Sequence, residues 1–263
     1  MTTSDLATQL NNCWQELYPD YSNDLLMNFI EDLKQLKTKM PSPDPESTWY
    51  KDAVVYSLYV DLFNIDFPGL IKKLDYLCDL GITCIWLLPI LDSPMKDAGF
   101  DICDFKNIRK ELAGTDLDAN PLSRFLEFVK QAHSRKIKVI FDIAVNHTSD
   151  EHPWFISAVN EQQSPYEDYY IFNNTDQRYQ SARLLFKGMC DSNWEKCGDR
   201  YYFHRFFENQ PDLNYHNPEV LFEMCRSLIF WMEKGIDGFR LDAIPFLWKS
   251  EGTDCENLPQ THT

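Results

Sequence analysis

Positive charge is scarce in this chain. Its 263 residues carry 25 lysines and arginines against 41 aspartates and glutamates, a net charge of −16. That balance repels nucleic acid and anionic membrane surfaces, and excludes both as partners. No apolar run reaches the ~18 residues of a membrane-spanning helix. No apolar segment follows a basic start, so nothing reads as a secretory signal. The eight cysteines include no C-x-x-C pair. Scattered through apolar patterns, as at Cys78, Cys84 and Cys225, they read as reduced, mostly buried thiols of a cytoplasmic protein. Internal repeats and low-complexity tracts are also missing.

Aromatic residues, by contrast, are plentiful: 18 Phe, 13 Tyr and 7 Trp, 14% of the chain. Flat rings stack on sugar faces, although core filling accounts for most of them. The length suits one large domain or two small ones.

Residues 1–47 form an N-terminal helical appendage and linker. Leu25, Leu26, Phe29, Ile30, Leu33 and Leu36 recur at helical spacing, and the prolines from Pro41 to Pro45 break the pattern. From Trp49 strands and helices alternate. Strands are expected at Ala53–Val60, Ile82–Leu88, Ile137–Ile143 and Ile236–Leu241. Helices are expected over Leu70–Leu80, Pro121–Arg135 and Pro218–Lys234. A loop of about 30 residues follows the second strand. No hairpin signal stands between these steps, which predicts parallel strands with helical crossovers. The polar, aromatic stretch 147–217 is too long for a connection and reads as an inserted subdomain. The partial barrel domain is then 48–146 with 218–263.

Polar residues gather where the strands end. The third strand ends in Asp142, Asn146 and His147, and the fourth in Arg240 and Asp242. The loop after the second carries Asp97, Gly99 and Asp101. Active sites of parallel α/β folds form at strand C-termini. Asp101, His147, Arg240 and Asp242 are therefore expected to converge. Residues two apart on a strand share a face, so Arg240 can hold the Asp242 carboxylate aimed. A structural Asp–Arg pair is the alternative reading of the same two residues.

Asp142-x-x-x-Asn146-His147 and Gly238-Phe-Arg-Leu-Asp-Ala243 resemble the first and second signature regions of glycoside hydrolase family 13, the α-amylase family. Gln210-Pro-Asp-Leu-Asn214 resembles a further short signature. Asn146 to Phe155, His204 to Phe207 and Glu251 to Pro259 look like the members that isomerise maltose to trehalose. The resemblance runs from about Trp49 to the last residue. It implies the N-terminal half of a (β/α)8 TIM barrel, about four strands, with a subdomain inserted after strand three. It also implies retaining double displacement on maltose- or trehalose-type α-glucosides. Asp242 matches the nucleophile and Arg240 its partner. Asp101 and His147 match residues that bind the reacting sugar, and Gln210 is expected to line the same pocket.

Some family features have no match. The general acid, a Glu after the fifth strand, and a second aspartate after the seventh have no counterpart here. Glu251 and Glu256 follow the nucleophile strand, but nothing sets either across the sugar from Asp242. The chain is thus expected to be truncated, inactive alone, and dependent on a complementing C-terminal half. The first and fourth strands are expected to be open edges. No cofactor is required. The family's calcium site would fall on Asn146 and Asp212, but Lys249 stands where relatives carry an acid, which weighs against the ion. Two other readings stay open: a non-catalytic remnant or sugar-binding module, and an α-glucosidase or amylosucrase-like enzyme.

Overall fold

A computed structural model describes residues 3–37, 47–115 and 120–263. The expected linker, Pro41 to Pro45, lies outside the described residues. In chain order the helices are α1 (Thr3–Leu17), α2 (Asn23–Lys37), α3 (Val60–Asn64), α4 (Phe67–Ile71), α5 (Leu74–Asp79), α6 (Pro121–Ser134), α7 (Pro153–Asn160), α8 (Pro218–Glu233) and α9 (Pro259–His262). The strands are β1 (Val55–Leu58), β2 (Cys84–Leu87), β3 (Leu91–Asp92), β4 (Asp104–Ile108), β5 (Lys138–Ala144), β6 (Phe172–Asn173), β7 (Trp194–Cys197), β8 (Arg200–Phe203) and β9 (Gly238–Asp242). Two compact units result: Pro41–Pro153 with Ser227–Asp242, and Met1–Met40 with Trp154–Arg226 and Ala243–Thr263.

The first unit is built on a parallel sheet of order β1-β2-β5-β9, as the alternating pattern predicts. Its strands are short and mostly apolar, and Ile85, Leu87, Val139, Phe141 and Ile143 are buried. Helix α6 starts at Pro121, with the Asn120 side chain accepting from the Ser123 N–H at 3.0 Å, a typical N-cap. Its stripe of Phe125, Phe128, Val129 and Ala132 is buried. Phe125 and Phe141 both meet the Trp231 ring edge-on, with centroids 5.6 and 5.4 Å away. Each such side chain contributes about 1.5–3 kcal/mol through burial. The indole of Trp231 is satisfied by the Phe105 carbonyl at 2.7 Å.

Asp237 pins β9 to β5. Its carboxylate accepts from Lys138 Nζ (2.8 Å) and the Val139 N–H (2.9 Å), and lies 2.7 Å from His133 Nε2. Burial works against its charge, but these partners prevail and hold its carboxyl below the ordinary range. The register that follows sets Asp142 opposite Arg240 and Ala144 opposite Asp242. A slip of one residue would turn both β9 side chains to the other face.

Two sequence expectations are corrected, and the inserted stretch gains detail. The single helix Leu70–Leu80 is two, α4 and α5. Asp66 caps the first early, accepting from the Gly69 N–H at 2.6 Å, and a tight turn at Lys72–Lys73 separates them. The long loop after β2 contains an antiparallel pair, β3 with β4. The inserted stretch also holds antiparallel strands, in the order β6-β8-β7. These strands are two to five residues long, too short for alternation to register as a signal. Among the described residues β1 and β9 each pair on one side only, with Val55 49% and Leu241 39% exposed.

In the second unit the small sheet packs around Ile171, Tyr179, Ala182, Trp194, Phe203 and Cys255. The N-terminal appendage is a pair of helices, α1 and α2, that packs on the start of α8. Phe222 is stacked between Trp14 (5.8 Å, 6°) and Phe29 (4.0 Å, 16°). The Tyr18 hydroxyl donates to the Tyr215 carbonyl at 3.1 Å. All eight cysteines are free thiols; Cys84 and Cys255 are buried, and the others half-buried. No helix among the described residues is long and apolar enough to cross a membrane.

Candidate active site

The C-terminal ends of β5 and β9 place Asp142, Arg240 and Asp242 side by side. Arg240 Nη1 donates to Asp142 Oδ1 at 2.8 Å, and the same nitrogen donates to Asp242 Oδ1. Trp86, on β2, donates from its indole nitrogen to Asp142 Oδ2 at 2.8 Å. Both oxygens of the buried Asp142 carboxylate are therefore engaged. Burial pushes its carboxyl up, and the bonds from Arg240 and Trp86 counter that only in part. Asp242 is half-buried at the sheet edge. The chain turns sharply after it, because Ala243 adopts a left-handed conformation (φ 61°), which few non-glycine residues do.

Asp101 sits in the loop after β2, wholly buried. Its carboxylate accepts from the Ser93 hydroxyl (3.0 Å), the Lys96 N–H (2.9 Å) and the Asp97 N–H (3.1 Å). Gly99 makes this turn possible: its φ is +93°, and a Cβ there would lie 2.8 Å from the Pro89 Cβ. His147 is buried beside Asn146, whose Nδ2 lies 3.4 Å from the His147 Nδ1. The two loops are tied together. The Ser149 N–H donates to the Ile102 carbonyl at 2.9 Å, and Lys96 reaches Asp150 (2.8 Å) and Glu151 (3.0 Å). Asp101, Asn146, His147, Arg240 and Asp242 thus belong to one unit.

Gln210 and Asp212 belong to the other unit and are buried there. Gln210 Oε1 accepts from the Phe207 N–H at 3.2 Å. Asp212 Oδ1 accepts from the Arg205 N–H at 2.8 Å, and Oδ2 meets Lys249 Nζ at 2.7 Å. Burial pushes the Lys249 ammonium down, while Asp212 opposes that shift. A carboxylate already engaged by an ammonium and a backbone N–H does not suit calcium, which needs six to eight oxygen ligands. Among the described residues no group of three or more His, Cys, Asp or Glu side chains is arranged to hold a metal ion.

The two later glutamates have other partners. Glu256 lies between the guanidiniums of Arg183 (2.8 Å) and Arg205. Glu251 accepts from the Tyr179 N–H at 3.2 Å and faces Arg178 at 3.7 Å. Sequence reasoning noted Asp142 as a motif residue but missed its grip on Arg240, and it missed Trp86 altogether. The signal for Trp86 is chemical: an indole N–H inside a buried strand requires an acceptor, and the carboxylate in a neighbouring strand provides one.

The parallel β/α sheet carries an Arg-held carboxylate at the end of its fourth strand, where sites of such folds form. The chain belongs to glycoside hydrolase family 13, the α-amylase family, since the family described as "Alpha amylase, catalytic domain" matches residues 46–263. Its sheet is the first half of a (β/α)8 barrel. It is 46% identical over 226 residues to the trehalose synthase/amylase of Mycobacterium tuberculosis, covering 82% of this chain and 36% of that protein. It is 40% identical over 213 residues to the oligo-1,6-glucosidase of Parageobacillus thermoglucosidasius, covering 78% of this chain and 36% of that one. The crystal structure of Bacillus licheniformis trehalose-6-phosphate hydrolase superposes with a TM-score of 0.72 at 35% identity, covering 82% of this chain and 41% of that chain. The chain therefore spans little more than a third of the length of these curated relatives, 36% in both cases.

Proposed function

We propose that this chain carries the nucleophile side of a retaining glucosyl transfer that isomerises maltose to trehalose. The observation that supports this most is the single Arg240 nitrogen bridging Asp142 and Asp242 at the strand ends. A carboxylate held this way stays aimed at one point above the sheet. An Asp242 oxygen attacks the anomeric carbon, and the bond from that carbon to the bridging oxygen breaks. A β-glucosyl ester forms, and the departing glucose oxygen takes a proton from a carboxylic acid. Attack by the anomeric hydroxyl of that glucose, with its proton returning to the same carboxylate, then yields trehalose and frees Asp242.

In this reading Asp101 and His147 bind the reacting glucose. The acid is supplied by a segment corresponding to the part of the relatives that this sequence does not cover. Glu251 and Glu256 are engaged elsewhere and do not replace it. The enzyme needs no cofactor and works in the cytoplasm, to which its free thiols are suited. Interception of the ester by water instead of glucose would make the same site an α-glucosidase, a reading favoured by the oligo-1,6-glucosidase relative.

The test is complementation. The chain is mixed with the remaining C-terminal portion of a related trehalose synthase, and maltose is supplied. Trehalose is expected from the mixture, none from the chain alone, and none when Asp242→Asn replaces wild type. Glucose as the sole product would move the assignment to hydrolysis. Undiminished turnover in the Asp242→Asn mixture would overturn it.

A further inference from the structure

We infer that Trp86 is a positioning residue for the nucleophile, acting through Asp142 and Arg240. The inference rests on the proposed role of Asp242 and goes beyond it by assigning a function to a residue outside the motifs that carry the family resemblance. The relay crosses three adjacent strands. Trp86 on β2 donates to Asp142 on β5 at 2.8 Å, Asp142 accepts from Arg240 on β9 at 2.8 Å, and Arg240 donates onward to Asp242. Trp86 pairs with Ile140, two residues before Asp142 on the same strand, so its ring lies along the face that Asp142 shares.

The chemistry of each member fits the task. An indole N–H is a donor only and stays neutral at every accessible pH. By holding Oδ2 it stops the Asp142 carboxylate from rotating, which leaves Oδ1 directed at Arg240. The guanidinium also lies 5.7 Å from the centre of the Trp86 ring, within cation–π range. Arg240 needs this support because its side chain is 43% exposed and water competes for it. Asp142 needs it too, since burial already favours its neutral form. Among the described residues, the charged and titratable groups that act on Asp142 include Arg240 and Asp242 on β9 and Tyr59 at the end of β1. Of these only Arg240 attracts the carboxylate form. Without the indole donor the neutral form of Asp142 is favoured further, its hold on Arg240 loosens, and Asp242 loses a fixed partner.

Trp86→Phe keeps a ring and removes only the N–H. On the full chain without substrate, carbon-13 NMR follows the titration of the Asp142 carboxyl, assigned by its loss in Asp142→Asn. The midpoint is expected to rise by roughly one to two pH units in Trp86→Phe, the worth of one hydrogen bond to a charged group. The Arg240 guanidinium nitrogens are expected to be distinct in wild type and to average in the variant. An unchanged midpoint with unchanged Arg240 signals overturns the inference. Should Trp86→Phe not fold, the wild type decides. Its Trp86 indole proton should shift along the Asp142 titration curve, and a flat response overturns the relay. None of these readouts needs turnover. Absence of trehalose in the complementation test would therefore count against the function, and a flat titration against Trp86.

Discussion

Lys249 and Asp212 form a buried ion pair, with 2.7 Å between ammonium and carboxylate and side chains 1% and 0% exposed. Removing one member strands the other charge where water cannot reach it. Lys249→Met is expected to cost about 3–5 kcal/mol of stability, read by urea unfolding. Combining it with Asp212→Asn should recover a large part of that loss. A single-variant cost well under 1 kcal/mol would show that the pair contributes little.

His152 makes stability depend on pH. Burial lowers its imidazole from 6.5 to about 4, against the pull of Asp104. Between those values the unfolded chain binds a proton that the folded chain does not, so stability rises with pH there. The contribution is complete above pH 6.5 and is lost as pH falls toward 4. At most it amounts to about 3 kcal/mol. His152→Phe, which keeps a ring beside Phe105 (5.6 Å away in wild type), should flatten the melting temperature across this window. An unaltered slope would assign the pH dependence to other groups.

Phe222 anchors the N-terminal helices. It is 2% exposed and stacks on both Trp14 and Phe29. Phe222→Ala is expected to cost about 3–5 kcal/mol and to open α1 and α2 to limited proteolysis before the rest of the chain. Equal protection of those helices in variant and wild type would contradict this packing.

The parallel sheet was legible because its strands lie in mostly apolar stretches separated by helices, with a clear cap at Asn120-Pro121. The short antiparallel strands were not, since two to five residues such as Phe172–Asn173 or Arg200–Phe203 carry no period. Asp242 and Arg240 were readable as a pair from their spacing alone, and the structure pairs them. Asp142 and Trp86 were harder to see because their partners lie across strands: Asp142 meets Arg240 98 residues away, and Trp86 meets Asp142 56 residues away. The β2–β5 register brings Trp86 to Asp142, and the β5–β9 register, pinned by Asp237, brings Asp142 to Arg240. Helix α1 lacked a strong apolar run and became evident only through Trp14 and Tyr18 in the core.

The central claim is that Asp242 is a nucleophile held ready by Arg240. A fluorinated α-glucosyl fluoride tests it most directly, because fluoride departs without a proton and the reaction needs no general acid. The ring fluorine slows breakdown of the ester, so the adduct accumulates. Peptide mass spectrometry of the treated chain should locate one fluoroglucosyl group on Asp242, with none in Asp242→Asn and slower labelling in Asp142→Asn. Absence of an adduct on Asp242, or equal labelling of the Asp242→Asn chain, would contradict the account.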